Sequence, residues 1–462
     1  MNLEPQERKA LVLVGAGSAV FTRGLLADLI SAPDLGPWDL RLVDTNPEAL
    51  RVTVALAEKM VAARGEGERI RVRGTTDRAE VLPGAHVVIC SIGVGGRPGW
   101  QKDWEIAAEF GIFQPVGDSV LPGGISRALR TIPVMAAVAR DVGELAPDAH
   151  FFNYGNPMTA NVAAMSRFHP VVGLCHGLGH VHRDLAAIIG APYEETSILY
   201  CGLNHLTWIT DFRWKGRDAF GLLRERIAEE KAAGIDEDEL GDIFNQGARW
   251  THNPFSFELF EAYSAYPSAS DRHVTEFFPE RFQGKGSYYG RTLGVDAFSL
   301  PEILAWGEER YQRMRREAEG EQELDAAIFD RSSGDQEELI DILRSMMFDL
   351  RRISSVNVPN TGYVPNLPTG AVLEIPGVVT GLGLRPVSVP DFPAPLAGIV
   401  ARRLASVDVT IEAALRGDRD LAVEAMLLDG AVTDPDTARA LVNRYLAGQA
   451  GYLPQFATPV AA

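Results

Sequence analysis

Residues 10–14, ALVLV, form an unbroken apolar run that passes directly into GAGSAVFTRGLLADLI, and this junction constrains the fold more than any other stretch. A strand without polar alternation is buried on both faces, as in a parallel sheet covered by helices. Gly15 and Gly17 then allow a tight turn and a close backbone approach. The helix that follows presents its N-terminus where a pyrophosphate is received. A second strand, residues 39–43, ends at Asp44, at roughly the 20-residue spacing at which a carboxylate grips a ribose hydroxyl pair and repels a 2′-phosphate. The third glycine of the dinucleotide motif is absent, Val20 standing near its place. Gly15, Gly17, Ser18 and Asp44 are the expected contacts of a cofactor, NAD in preference to NADP.

The same strand-then-polar-turn pattern recurs. HVVICSIGVGG (86–96) adds Gly93 to the cofactor candidates, and DAHFFNYGNP (148–157) ends in Asn153 and Asn156. Ligands of open parallel sheets collect at such carboxyl ends. Between them GDSVLPGGISRALRTIP (117–133) reads as a glycine-rich loop entering a helix, with Arg127 and Arg130 as possible clamps for an anion. After residue 157 the pattern becomes mixed. PVVGL (170–174) leads to Cys175-His176-Gly177, and the alternating SILYCGLNHLTWITDFRW (197–214) predicts antiparallel strands. Residues 218–250, 301–350 and 391–450 are helical in period, while 354–377, rich in Pro, Gly and Asn yet apolar, reads as ordered loop and strand near the site. The expected architecture is α/β: a Rossmann-type domain over 1–200, then a mixed α+β domain over 201–462.

Composition narrows the function. A chain of 462 residues with 46% hydrophobic content buries a large core. A formal charge of −18 argues against nucleic acid or an anionic membrane as partner, because both require a basic face. The opening MNLEPQERKA lacks the order of a signal peptide, and three cysteines suit a reducing compartment. The expectation is a cytoplasmic protein with a small-molecule substrate. Cys175 and His205, each within or just past a strand, can reach one divalent ion that keeps open positions for substrate oxygens. The alternative is a core thiol and a hydrogen-bonded strand histidine.

Taken in order, GAGS, NYGNPM (153–158), VGLCHG (172–177), GLNHLTWI (202–209), SDRHVTEFFP (270–279) and VNVPNTGYVPNLPTGAVLEIPG resemble glycoside hydrolase family 4 along essentially the whole chain. The resemblance implies a redox-neutral glycosidase in a fold similar to the lactate and malate dehydrogenases. NAD takes a hydride from carbon 3 of the sugar, and a divalent metal such as manganese polarises the ketone. The carbon 2 proton is then lost, the aglycone leaves by elimination, water adds and the hydride returns. Carried over by position, Cys175 and His205 match the metal ligands. His176 stands where an unphosphorylated α-glycoside branch has histidine, and it can bind substrate or protonate the leaving oxygen.

The resemblance also implies a base on carbon 2. A tyrosine of the phospho-sugar branch falls near Asp271 here, so Asp271 is the candidate base, with Tyr266 next. Asn153, Asn156, Arg127, Arg272 and His273 are candidate substrate contacts, and His273 or Glu276 completes the metal shell. Cys-His-Gly resembles the branch that accepts α-linked uronic acids, with neutral α-glucosides or α-galactosides second and 6-sulfonated sugars third. A homodimer or homotetramer is expected. Two other classes share the cofactor motif: a plain sugar or hydroxy-acid dehydrogenase, and a non-catalytic NAD-binding protein.

Overall fold

The computed structural model describes residues 3–4, 6–233, 253–282, 300–330 and 338–457. A single sheet of 13 strands runs through it. Its first half is parallel: β1 (Lys9–Val14), β2 (Trp38–Val43), β3 (Ile70–Thr75), β4 (Val87–Cys90), β5 (His150–Asn153) and β6 (Val172–Gly173), in the spatial order β3-β2-β1-β4-β5-β6. That is the Rossmann order. β1 and β4 are buried at every position, as their lack of polar alternation predicts. Helices α1 (Ala19–Ile30), α2 (Pro47–Ala63), α3 (Gly96–Glu109), α4 (Leu121–Leu145) and α5 (Met158–Met165) connect these strands. α2 shows why its sequence starts a helix: Pro47 opens it, and the Asn46 side chain accepts from the Glu48 and Ala49 N–H groups at 3.0 and 3.2 Å.

The second half follows α6 (Gly177–Ile188) and is antiparallel. It comprises β7 (Thr196–Leu203), β8 (Leu206–Trp214), β9 (Arg217–Asp218), β10 (Tyr266–Pro267), β11 (Arg352–Pro359), β12 (Val372–Thr380) and β13 (Gly383–Pro386). β11 joins β6, and the order continues β12-β7-β8-β10. The alternating stretch at 197–214 is the β7–β8 hairpin, and 354–377 supplies most of β11, most of β12 and the loop between them. The boundary read at residue 200 falls inside β7, and the sheet runs across it without a break. Three helices, Ala394–Arg416, Arg419–Asp429 and Pro435–Gly448, pack their apolar faces on α3, α4 and α5. Helix Phe220–Ala233 begins the helical stretch expected at 218–250, of which 234–250 lie outside the described residues. The stretch expected at 301–350 contains helices Leu300–Glu319 and Glu338–Phe348.

One line of register fixes where chemistry can occur. Val43, Val14, Cys90, Asn153 and Gly173 are successive partners across the parallel strands. The line continues through Asn357, Glu374, Gly202 and Thr207 in the antiparallel half. The turns after β1, β2, β4, β5 and β6 therefore all open just past this line, and the β7–β8 turn, whose strands run the other way, reaches it from the opposite side. Gly15, Asp44, Gly93, Asn156 and Cys175 share one edge because the strand ends are aligned, and His205 comes to the same line from the antiparallel half.

Candidate active site

The glycine turn shows why only glycine serves there. Gly15 has φ +93°, and a Cβ on it would lie 2.9 Å from the Ser91 carbonyl carbon. On Gly17 a Cβ would lie 2.7 Å from Asp44 Oδ2. The Gly17 N–H donates to Asp44 Oδ2 at 2.8 Å and the Asn46 N–H to Oδ1 at 2.9 Å, so Asp44 first holds the β1–α1 turn against β2. Each oxygen keeps a further lone pair for a diol. Ser18 caps α1 without a side-chain hydrogen bond, and the first turn of α1 carries no acid, which leaves that helix N-terminus open to an anion. Gly93 is exposed past the end of β4, with Arg127 the nearest side chain to the place a Cβ would occupy. These residues fit a dinucleotide.

Beside that edge lies a cavity of about 310 Å3, within the range of small-molecule sites. Its walls include Tyr154, Asn156, Cys175, His176, His205 and His273. His205 is the second residue of the two-residue β7–β8 turn and has φ +70°, a conformation that costs a side-chain-bearing residue about 1–2 kcal/mol. Its Nδ1 lies 3.1 Å from Ser119 Oγ and 4.0 Å from Asp118 Oδ1. The His273 ring lies against it at 3.9 Å between centroids. One ligand atom each from Asp118, His205 and His273 falls within 4.8 Å of the others.

The electrostatics suit a cation. Burial would raise the Asp118 pKa, but the neighbouring His205 and His273 whenever either carries a proton, the Arg127 charge and the Ser119 hydroxyl outweigh it and hold the carboxyl well below the usual range. Burial pushes the His205 pKa down, with Asp118 opposing, and pushes His273 far down with help from His205, so both imidazoles are neutral and ligand-ready. His273 Nδ1 is buried without a hydrogen-bond partner. One carboxylate and two imidazoles fit a divalent transition-metal ion, manganese through the carboxylate and zinc through the imidazoles. Cys175 opens on the same cavity outside this trio, its thiol pushed up to about 12 by burial and by Glu374. The Asn204 amide lies between Cys175 and Glu374, close enough to favour both anions, yet neither of its polar atoms makes a well-formed hydrogen bond. The sequence pair Cys175 and His205 thus shares one cavity, while Asp118, for which the aperiodic GDSVLPGG loop gives no periodic signal, is the acid beside His205.

Other candidates hold the site without touching it. Arg127 Nε donates to the Asn156 carbonyl at 3.2 Å, and Asn156 Nδ2 donates to Asp118 Oδ2 at 2.9 Å, so Arg127 stands behind the trio. Arg130 is no clamp, because its guanidinium is bound on two sides by Asp103 at 2.7 and 2.5 Å. Arg272 does not line the cavity, and its charge faces Glu276 and Asp118. Asn153 is fully buried and folds the next turn through the Gly155 N–H and carbonyl at 3.1 and 3.0 Å. Glu276 accepts the Val116 and Gly117 N–H groups at 2.9 and 2.7 Å, which anchors the loop carrying Asp118.

The two candidate bases require correction. Asp271 Oδ2 accepts the Phe255 N–H at 2.7 Å, and Oδ1 accepts the Ser256 N–H and hydroxyl at 2.8 and 2.6 Å. This carboxylate caps helix Pro254–Tyr263 and is not among the cavity walls. Tyr266 is packed against Phe257 and Phe260 at 5.1 and 6.2 Å between ring centroids and is absent from those walls too. Asp271→Ala is therefore expected to lower stability by about 2 kcal/mol, read as a lower urea midpoint. Unchanged stability with lost turnover would return Asp271 to the chemistry.

Buried carboxyls give a pH signature. Burial raises Glu276 and Glu338 to about 8 and Glu374 to about 7, from an ordinary 4.5. In the fold each keeps a proton that the unfolded chain has already lost, so the stability they confer is complete below about pH 4.5 and is lost as pH rises through 7 to 8. The thermal midpoint of the metal-free protein is expected to be lower at pH 8.5 than at pH 6. A rise over that interval would contradict the assignment.

A Rossmann sheet with a glycine turn that fits a dinucleotide, beside a histidine-rich cavity with metal-competent side chains, has the features of an NAD- and metal-binding enzyme. The sequence places it more narrowly: the Family 4 glycosyl hydrolase model matches residues 10–191, and the Family 4 glycosyl hydrolase C-terminal domain matches residues 200–432. The chain belongs to the family 4 glycosyl hydrolases. It is 31% identical to an alpha-glucosidase of Erwinia rhapontici, over 91% of this chain and 93% of that protein. It is 29% identical to an alpha-galacturonidase of Thermoanaerobacterium saccharolyticum, over 92% and 91%. A solved 6-phospho-alpha-glucosidase from gut microorganisms, in complex with NAD and Mn2+, shares the fold with a TM-score of 0.79 and 20% identity, over 96% of this chain and 99% of that one. Among the described residues no helix is long and apolar enough to cross a membrane.

Proposed function

We propose that this glycosidase cleaves α-hexuronides, with NAD at Gly15, Gly17, Ser18, Asp44 and Gly93 and a divalent ion, manganese by likeness to the solved relative, at His205 with Asp118, His273 and Cys175. The observation that supports the reading is that Cys175, His176, His205 and His273 line one cavity, with Asp118 beside His205 and His273 and with Cys175 and His176 just past the parallel strand β6. When bound, the nicotinamide exchanges a hydride with the sugar and the ion polarises the neighbouring oxygen. The chain does the rest. Asn156, held by Asp118 and Arg127, lines the cavity where sugar hydroxyls sit, and His176 faces the leaving oxygen as its proton donor. The proton on carbon 2 falls to a group that faces the cavity, which excludes Asp271 and Tyr266 as they are placed here.

The uronide is supported by Cys175-His176-Gly177 and by the galacturonidase among the relatives. A second reading, a neutral α-hexoside, has its own observation: among the described residues no arginine or lysine lines the cavity to receive a carboxylate. The alpha-glucosidase relative agrees with it. Nitrophenyl α-galacturonide, α-glucuronide, α-galactoside and α-glucoside, each with and without NAD and Mn2+, separate the two. Nitrophenol release that requires both additions, with no NADH accumulating, is expected for the uronides. Release from the neutral sugars alone selects the second reading, and NADH accumulation without nitrophenol would mean a dehydrogenase.

A further inference from the structure

The cavity has two chemically different ends. One, at the start of α6, holds Cys175, His205 and His273. From there His176, His180 and Asp184 recur at every fourth residue, so they form one stripe along the helix, and all three line the cavity. Eight residues of helix place Asp184 about 12 Å along the axis from His176. A sugar ring whose carbons 2 and 3 meet the ligand trio does not extend that far along the helix.

Asp184 differs from the other carboxyls of this region. Asp118, Asp271, Glu276 and Glu374 are all engaged by hydrogen bonds from the protein. Asp184 is part-buried and has no hydrogen-bond or ion-pair partner among the described residues, with the charge of Arg183 and the buried Tyr266 phenol nearby. Burial raises its pKa to about 6, so it is mostly ionised at neutral pH. A carboxylate in this setting accepts hydrogen bonds from adjacent hydroxyls, and bonds to a charged acceptor are stronger than neutral ones. Val181, on the same wall, offers the apolar contact that a pyranose C–H face needs.

We propose that the Asp184 end of the cavity is the leaving-group subsite and that Asp184 binds the hydroxyls of a sugar residue there. This rests on the glycosidase reading of the same cavity. The test uses the holoenzyme with NAD and Mn2+ and two substrates of identical glycone: the nitrophenyl α-glycoside that the wild type cleaves, and the α-1,4-linked disaccharide. In Asp184→Ala the ratio of kcat/KM for the disaccharide to that for the nitrophenyl glycoside is expected to fall about tenfold, chiefly through KM. Asp184→Asn, which keeps hydrogen-bonding capacity, restores part of the ratio. An unchanged ratio, whether both substrates suffer equally or neither does, overturns the proposal. If the wild type cleaves neither substrate, the glycosidase reading fails on its own account. Calorimetric titration of the disaccharide into holoprotein then decides the subsite: weaker binding to Asp184→Ala supports it, and equal binding to both proteins overturns it.

Discussion

Replacing His205 by alanine should lower the affinity for Mn2+ by at least about 100-fold and remove glycosidase activity, because this imidazole belongs to both ligand sets that the cavity offers. Its backbone supplies a second readout. His205 sits at φ +70°, where glycine is comfortable and a side chain costs about 1–2 kcal/mol, so His205→Gly should leave the metal-free fold at least as stable as the wild type while losing the metal equally. His205→Ala keeps the strained turn and should not gain stability. A strained residue retained at the point where the cavity needs a ligand is the pattern expected of function maintained against stability. A His205→Gly protein that still binds Mn2+ with wild-type affinity would remove His205 from the site.

Asp118→Ala should reduce kcat/KM by about 100-fold or more, through several losses at once. The substitution removes the negative charge facing His205 and His273, the acceptor for Asn156 Nδ2 and the acceptor for the Ser119 hydroxyl. It also leaves Arg127 without its nearest opposing charge. Asp118→Asn keeps the shape and loses the charge, so metal affinity should fall in both variants while only alanine also disturbs Asn156. Comparison with Cys175→Ser orders the ligands. A larger loss of Mn2+ affinity in Asp118→Ala places the ion with Asp118, His205 and His273, and a larger loss in Cys175→Ser places it between Cys175 and His205.

Much of this site was legible because strand ends carry it. A run such as ALVLV followed by glycines has one physical interpretation, and each apolar run ending in polar residues (Asp44, Gly93, Asn156, Cys175) pointed to the same edge. His205 followed from the alternating hairpin, and His273 from its motif. Asp118 is not legible in the sequence, because its loop has no period and its glycines point instead to the helix that follows. An acid and a serine flanked by glycines just ahead of that helix was the signal available. Asp271 was misplaced for a different reason: an acid beside Arg272 and His273 looks catalytic in one dimension, whereas the N–H groups that occupy it belong to residues 15 and 16 positions earlier. Asn153 and Arg130 err in the same way, each committed to partners that only the fold brings near. Asp184 gave no sequence signal beyond its spacing from His176 and His180, which becomes meaningful only when one face of α6 is known to line a cavity.

The central claim is that bond cleavage proceeds by removal and return of the proton on carbon 2, and hydrolysis in D2O tests it directly. With NAD and Mn2+ present, the sugar released should carry one deuterium at carbon 2, seen as a mass increase of one unit and loss of that proton resonance. Product formed at full rate with its carbon 2 hydrogen intact would mean direct displacement at the anomeric carbon and would contradict the account.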